Sequence, residues 1–492
     1  MQNKSSSIIK KLNKIAENSI NAQKYNKALA AIAAAADILY SHNQTYTDEK
    51  LEQMLKIISG QLFGVPNWEK LKSYKDEKTV LFYDGFGLDT RGLALIFLKG
   101  LVRCGYKVVY ITTDFAEGKQ PEIKKALSGY DINWLFFSTK KGYVTWAKSI
   151  FEVFEKYQPD SAFFYTVPSD VSATMVFGLF EGLCKRFQID LTDHAFWLGK
   201  YSFDYCIALR DVGSKIAINH RKIPKEKLVM LPYYANIDYN IEFEGFPFST
   251  DQKRIIFSGG ALYKTLGDKD NTYYKIVDSI LEKHSNIIFL YAGFGDDSQL
   301  KLIIDKHPDR AYHIAERKDL FQVMKRCVLY LNTYPMFGGL MMNFAASAGK
   351  LPLTLKHNND ADGLLFNQAN LQIEYDTKEA LIEDVDRLLN DSAYLKEREG
   401  KLEGSVITQE RFEKNLKMLV DTNTTEFQIY TEEIDTTEFR KEFDIRFCLK
   451  KEVKRAVIAP CRRSLMVNFP LMYATYYFKR VFEKIVDKIR RK

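Results

Sequence analysis

Cysteine is scarce in this chain: six in 492 residues, at 104, 184, 206, 327, 448 and 461, with no CxxC pair and no histidine nearby at ligand spacing. That scatter argues against a thiolate zinc site and against a disulfide framework. Long hydrophobic runs are missing too. A bilayer span needs about 20 predominantly apolar residues, whereas the best stretch, Ala28 to Tyr40, is short, alanine-dominated and broken by Asp37. The N-terminus has no continuous apolar signal region, so a cytoplasmic location is expected. A clean GxGxxG is absent. No acidic residue stands at the end of the second strand before Asp114, which makes a dinucleotide cofactor a poor fit.

What is present points to a large soluble protein. The length exceeds one ordinary core and suggests two main domains plus additions. An apolar fraction of 46% with 27% charged residues is the balance of a globular chain. The 29 Tyr and 34 Phe imply large aromatic cores or, alternatively, stacking surfaces. Net charge is +8, and much of the excess sits at the ends: Lys10, Lys11 and Lys14, then Arg462, Arg463, Lys479, Arg480, Lys484, Lys488 and Arg490 to Lys492. A basic tail suits an anionic partner such as a membrane surface or nucleic acid.

Hydrophobic periodicity divides the chain. Residues 1–75 read as a helical extension, an appended packing or partner surface, with Ala28 through Leu39 and then Leu51, Met54, Leu55 and Ile58 at helical spacing. At Thr79 short β-rich runs begin to alternate with helical segments: Thr79–Tyr83, Lys107–Thr112, Trp134–Phe137, Ser161–Tyr165, Gln188–Leu191 and Tyr205–Ala208. This is the pattern of a parallel sheet covered by helices. A turn-rich stretch from Leu231 to Ser249 separates it from a second series: Arg254–Phe257, Asn286–Tyr291, His313–Ala315, Val328–Leu331 and Leu351–Thr354. The expected architecture is therefore α/β, with two Rossmann-like domains at 76–240 and 250–424. A basic amphipathic helical tail is expected at 425–492. After Pro470 the apolar face Phe478, Val481, Phe482, Ile485, Val486 and Ile489 is ringed by Lys479, Arg480, Lys484 and Lys488. Such a helix either lies in a membrane interface or packs on the protein. It is unlike a groove-tracking basic stripe, so no nucleic-acid partner is expected.

Ligands of such sheets bind beyond the carboxyl ends of the strands, and the candidate residues are sought there. Gly85 and Gly87 follow the first strand, either as a ligand-facing loop or as a structural turn. Asp193, His194 and Trp197 follow the strand ending at Leu191. Asp193 is placed to orient the imidazole, and either side chain suits a base on an acceptor hydroxyl; the alternative is a capped core. Gly259 and Gly260, followed by Lys264, suit a diphosphate through backbone N–H groups and a point charge. Gly293 marks a second turn of close backbone approach. Arg317 and Lys318 are either phosphate-facing or solvated charge. Gly338 and Gly339 open a helix, a natural phosphate cradle. Asp268-Lys269-Asp270 has the DxD form of a metal site but lies in a loop after Lys264, so no metal is expected.

Together, Gly259 to Lys264, Gly293 to Gly295, Arg317 to Leu320 and Pro335 to Pro352 resemble the nucleotide-sugar domain of GT-B glycosyltransferases. The order over about 75–420 is similar to glycosyltransferase family 4, including Gly349-Lys350-Leu351-Pro352 at a strand entry. The Asp193 to Gly199 segment resembles the acceptor-side histidine loop of such enzymes. The resemblance implies a transferase that moves a hexose-type sugar from a nucleoside diphosphate sugar, UDP-linked, without metal or other cofactor. The implied acceptor is a cell-surface glycan or lipid-linked oligosaccharide, and the implied location is the inner face of the membrane. The chain departs from the family in two places. Tyr334 to Ala346 contains no acid where the family carries a glutamate pair, and Gly259 stands where the family has an arginine ahead of its phosphate lysine. Retaining chemistry therefore does not follow. In lacking that pair the chain also resembles protein O-glycosyltransferases. A catalytically silent scaffold binding a protein partner through residues 1–75 is the other alternative.

Overall fold

A computed structural model describes residues 2–42, 44–66, 68, 78–87, 93–113, 121–266, 268–356, 365–366, 368–437, 440–441 and 448–478. The expectations attached to Asp114 and to the tail beyond Phe478 lie outside these residues. Two compact units result. The first comprises Met1–Leu209, Gly213–Leu231 and Glu413–Lys492; the second comprises Arg210–Val212 and Pro232–Phe412.

The first unit is built on seven parallel strands: β1 (Thr79–Asp84), β2 (Lys107–Thr113), β3 (Ile132–Phe137), β4 (Ser161–Tyr165), β5 (Lys185–Ile189), β6 (Tyr205–Ala208) and β7 (Leu228–Met230). Their order is β3-β2-β1-β4-β5-β6-β7. Every residue of β1 and β4 is buried. A parallel sheet covered on both faces requires this, and it explains why these strands read as unbroken apolar runs.

Among the described residues, three helices precede the sheet: α1 (Gln2–Asn21), α2 (Tyr25–His42) and α3 (Glu49–Leu62). The alanines of α2 are fully buried. Small side chains let neighbouring helices approach closely, and α2 is enclosed by α1 and by the helices Tyr143–Tyr157 and Leu449–Ile458. The helix is apolar on most of its circumference because most of it is core. Asp48 caps α3 by accepting from the amides of Lys50 and Leu51 at 3.0 and 3.1 Å. Ser59 then donates to the Met175 carbonyl at 3.0 Å, tying α3 to the helix Val171–Leu179.

The chain after Glu413 also belongs to this unit. Thr425 donates to the Met230 carbonyl at 2.7 Å, and Ser214 donates to that of Tyr430 at 3.0 Å. Further on, Leu449, Val453, Val457, Leu465, Phe469 and Tyr473 join the same hydrophobic core as α2.

The second unit contains β8 (Arg254–Gly259), β9 (Ile287–Ala292), β10 (Ala311–Ile314), β11 (Leu329–Leu331), β12 (Pro352–Leu355) and β13 (Glu374–Tyr375). These strands are again parallel, in the order β10-β9-β8-β11-β12-β13. Its core is formed by Ile255, Phe257, Ile288, Leu290 and Leu353 with helix residues such as Val277 and Leu281. In both sheets strand order reverses beside the first strand, between β1 and β4 and between β8 and β11. These are the topological switch points where such folds bind ligands. Two strands, β7 and β13, have no counterpart in the sequence pattern; they are three and two residues long.

Candidate functional site

The second unit gathers most of the sequence candidates at its switch point. β8 runs into Gly259-Gly260, and Gly260 has φ 125°, which excludes most side chains. The Gly260 amide donates to the Ala292 carbonyl at 2.9 Å, and a Cβ added at Gly293 would lie 1.9 Å from the Gly260 carbonyl oxygen. The two glycine turns therefore pack backbone against backbone. Three tyrosines hold the first turn in place: Tyr273 donates to Ser258 at 2.6 Å, Tyr291 to the Gly260 carbonyl at 3.1 Å and Tyr330 to that of Gly259 at 3.4 Å.

Lys264 lies one short helical turn further on, in Leu262–Thr265. Its Nζ donates to the Phe337 carbonyl at 3.2 Å, and its own carbonyl accepts from Met336 at 3.1 Å. The loop after β8 and the loop after β11 are thus joined at the lysine. Residues 338–339 then open the helix Gly339–Ser347. The amides of Gly339, Leu340 and Met341 have no acceptors within that helix, as is general for a first turn. The Gly338 amide is spent, donating to the Asn332 side-chain oxygen at 2.9 Å; that oxygen also accepts from Thr333 at 3.0 Å.

Arg317 does not join this group. Its guanidinium forms a two-pronged pair with Asp319, Nε to Oδ1 at 2.6 Å, and donates to the Gly245 carbonyl. Those bonds close the turn after β10 onto the chain entering the unit, so structural work replaces the expected phosphate contact. Lys318 is exposed beside it. Asp268 accepts from the amides of Asp270 and Thr272, so it caps its own turn. Among the described residues, no group of three His, Cys, Asp or Glu side chains could hold a metal ion.

In the first unit Asp84 organises the turn after β1. Its Oδ1 accepts from the amides of Phe86 and Gly87, both at 2.9 Å, and its Oδ2 accepts from Tyr110 at 2.7 Å. Burial raises its pKa above the ordinary carboxylate value. The Gly87 amide is therefore engaged within the turn. Gly85 sits at the switch point itself, donating to the Tyr165 carbonyl at 2.7 Å.

Beyond β5, His194 Nδ1 lies 3.2 Å from Asp193 Oδ1, with the carboxylate buried and the imidazole partly exposed. An oriented, partly exposed imidazole has the geometry of a base or a hydroxyl contact. The loop is held from beneath by Arg221, a residue the sequence did not single out. Fully buried, it donates to the carbonyls of Thr192, Asp193 and Ala195 at 3.1, 3.0 and 2.6 Å, and to that of Tyr46 at 2.9 Å. Its Nε faces the buried Asp190 at 3.9 Å. Burial raises the Asp190 pKa, with Arg221 working in the opposite direction. Trp197, expected on the acceptor side, is 4% exposed and lies under the Arg221 guanidinium, 4.5 Å from its ring centre. It supports the loop and is not exposed for an acceptor. Glu52 of α3 fixes the loop's far end, accepting from the amides of Gly199 and Lys200 at 2.8 and 3.2 Å.

Two Rossmann-like sheets, each with glycine turns at its switch point, define the class: this is the GT-B fold. Among solved structures the chain is similar to a protein assigned as a UDP-N-acetylglucosamine 2-epimerase from Listeria monocytogenes, with TM-score 0.50 and 12% identity over 73% of this chain and 100% of that one. It is similar also to the lipopolysaccharide outer core galactosyltransferase WaaB, with TM-score 0.50 and 11% identity over 70% and 99%. No protein-family model and no curated protein matches the sequence. At such identities the likeness establishes the fold. One neighbour is assigned as an epimerase and the other is a transferase, so the reaction has to be argued from the site.

Proposed function

We propose that the chain is a glycosyltransferase that takes a hexose-type sugar from a nucleoside diphosphate sugar, UDP-linked, and passes it to a cell-surface glycan or lipid-linked oligosaccharide at the inner face of the membrane. The observation that carries this reading is the joining of Lys264 to the start of the helix Gly339–Ser347 at the second switch point. A diphosphate there meets an ammonium and the first-turn amides of Gly339, Leu340 and Met341. Preorganised donors of this kind stabilise the charge that develops on a leaving diphosphate. Arg317 takes no part in this proposal, because its donors are held by Asp319 and Gly245.

In the first unit His194, oriented by Asp193, takes the acceptor proton or contacts the sugar. Both roles need an oriented imidazole that solvent can reach, and that of His194 is held by Asp193 and partly exposed. The absence of acids between Tyr334 and Ala346 leaves ribose recognition to other groups.

Transfer assays with a panel of nucleotide-sugars and glycan or glycolipid acceptors test the reading. The expected result is acceptor-dependent nucleotide release with a new glycosidic product, lowered at least about tenfold in His194→Ala. Conversion of the donor at C2 with no glycosidic product would replace this reading with an epimerase.

A further inference from the structure

The C-terminal segment carries an apolar surface that none of the foregoing chemistry uses. The 3-10 stretch Pro460–Asn468 leads through Phe469 into residues 470–478, which are helical. One side of this segment is locked into the first unit. Leu465, Phe469 and Tyr473, at spacing i, i+4 and i+8, are buried in its core. Tyr473 donates to the carbonyls of Val457 and Arg462 at 2.8 and 2.7 Å. Arg462 is buried and bonded to Asp37 at 2.6 Å, and its Nε donates to the Tyr143 hydroxyl oxygen at 3.1 Å.

Away from that anchored side stand Met466, Val467, Leu471, Tyr477 and Phe478, exposed by 41, 77, 81, 40 and 82%. Five large apolar side chains within 13 residues, held on a bonded scaffold, differ from the isolated exposed hydrophobics of an ordinary surface. Their surroundings are cationic. Lys11 of α1 donates to the Asn468 carbonyl at 2.9 Å and lies over the Phe469 ring. Lys14 follows it one turn along α1, and Lys10, Lys14 and Arg463 are exposed. From Val453 to Phe482 the sequence contains no Asp or Glu, and it continues into Lys479 and Arg480.

We propose that this surface docks on an anionic lipid bilayer, with Val467, Leu471 and Phe478 entering the headgroup–acyl boundary while Lys11, Lys14 and Arg463 meet lipid phosphates. The inference deepens the membrane placement proposed above and rests on it for its role. An apolar wedge flanked by cations fits a charged interface better than the dry, charge-depleted centre of a protein interface. The anchored side explains how insertion would hold the whole unit: pulling on Leu471 pulls on Tyr473 and Arg462, and through them on α2.

Flotation of the full chain with vesicles of phosphatidylglycerol and phosphatidylcholine, without any sugar donor, tests the docking independently of catalysis. Binding to the mixed vesicles and weak binding to phosphatidylcholine alone are expected. The combined Val467→Asp, Leu471→Asp, Phe478→Asp variant should lose at least about tenfold in partitioning while keeping its melting temperature and its thermal response to UDP. Lys11→Glu with Lys14→Glu should weaken binding to anionic vesicles only. Wild-type protein that stays unbound, or a triple variant that floats as well as wild type, overturns the proposal. So does a dimer that dissociates in the triple variant with flotation unchanged, which would assign the surface to a second copy of the chain. Loss of flotation with intact sugar transfer to a soluble acceptor would leave the transferase reading standing, and the reverse outcome would leave the docking standing.

Discussion

Replacing Glu52 by glutamine should remove a pH dependence of stability that the structure specifies. Glu52 is buried beneath the loop that follows His194, accepting from the amides of Gly199 and Lys200. Burial is the largest influence on its carboxyl and raises the pKa from 4.5 to about 7, against the lowering effect of the two amides. A carboxyl whose folded-state pKa is raised binds its proton more tightly when folded. Its contribution is therefore most favourable below about pH 4.5 and declines as pH rises through 7. That gap corresponds to about 3 kcal/mol in all, of which about 2–3 kcal/mol falls between pH 5 and pH 8. Glutamine keeps an oxygen for the two amides and carries no charge. The stability difference, variant minus wild type, should then rise by about 2–3 kcal/mol from pH 5 to pH 8. Any constant effect of the new amide cancels in that comparison. Urea unfolding of the first unit at several pH values measures it, followed by tryptophan fluorescence since all four tryptophans (68, 134, 146 and 197) lie in that unit. Parallel pH profiles for the two proteins would refute the buried-carboxylate account.

Three further changes probe the supports of the site. Arg221→Met strands the carbonyls of Tyr46, Thr192, Asp193 and Ala195 and leaves Asp190 unpaired, so it should cost about 3–5 kcal/mol. Arg221→Lys should recover part of that loss in the same urea titration. Asn332→Ala removes the acceptor of the Gly338 and Thr333 amides, and a loss of about 1–3 kcal/mol in the second unit is expected. Calorimetry should show UDP binding weakened in the same variant. Arg317→Ala should destabilise the second unit while leaving UDP affinity unchanged, since its guanidinium serves Asp319 and Gly245. A large loss of affinity would restore it to the phosphate site.

The fold was legible because parallel strands buried on both faces are written as continuous apolar runs. Thr79–Tyr83 and Asn286–Tyr291 could be read almost to the residue. β7 and β13 were not, since three or two residues carry no periodicity. The glycine turns and Lys264 were visible as strand-to-helix punctuation with a cation one turn on. Their supports were hidden because they arrive from other segments: Tyr273 reaches Ser258 from the helix Thr272–Lys283, Tyr330 reaches Gly259 from the neighbouring strand, and Arg221 reaches the His194 loop from 27 residues away. Trp197 and Arg317 show the opposite effect. Position beside a strand end marked them as site residues, but a ring stacked under a buried arginine and a guanidinium locked to Asp319 are part of the scaffold. Only three-dimensional partners distinguish a charge that supports a loop from one that meets a ligand.

The most direct measurement of the central claim is calorimetric titration of wild-type protein and Lys264→Ala with UDP and, in parallel, with uridine. If Lys264 and the start of the helix Gly339–Ser347 hold the diphosphate, UDP binds the wild type, and the variant loses at least about tenfold in UDP affinity, as expected for a charge-assisted hydrogen bond. Uridine affinity is then unchanged. Equal UDP affinity in the two proteins, or an equal loss for UDP and uridine, would contradict the assignment of this switch point as the diphosphate site.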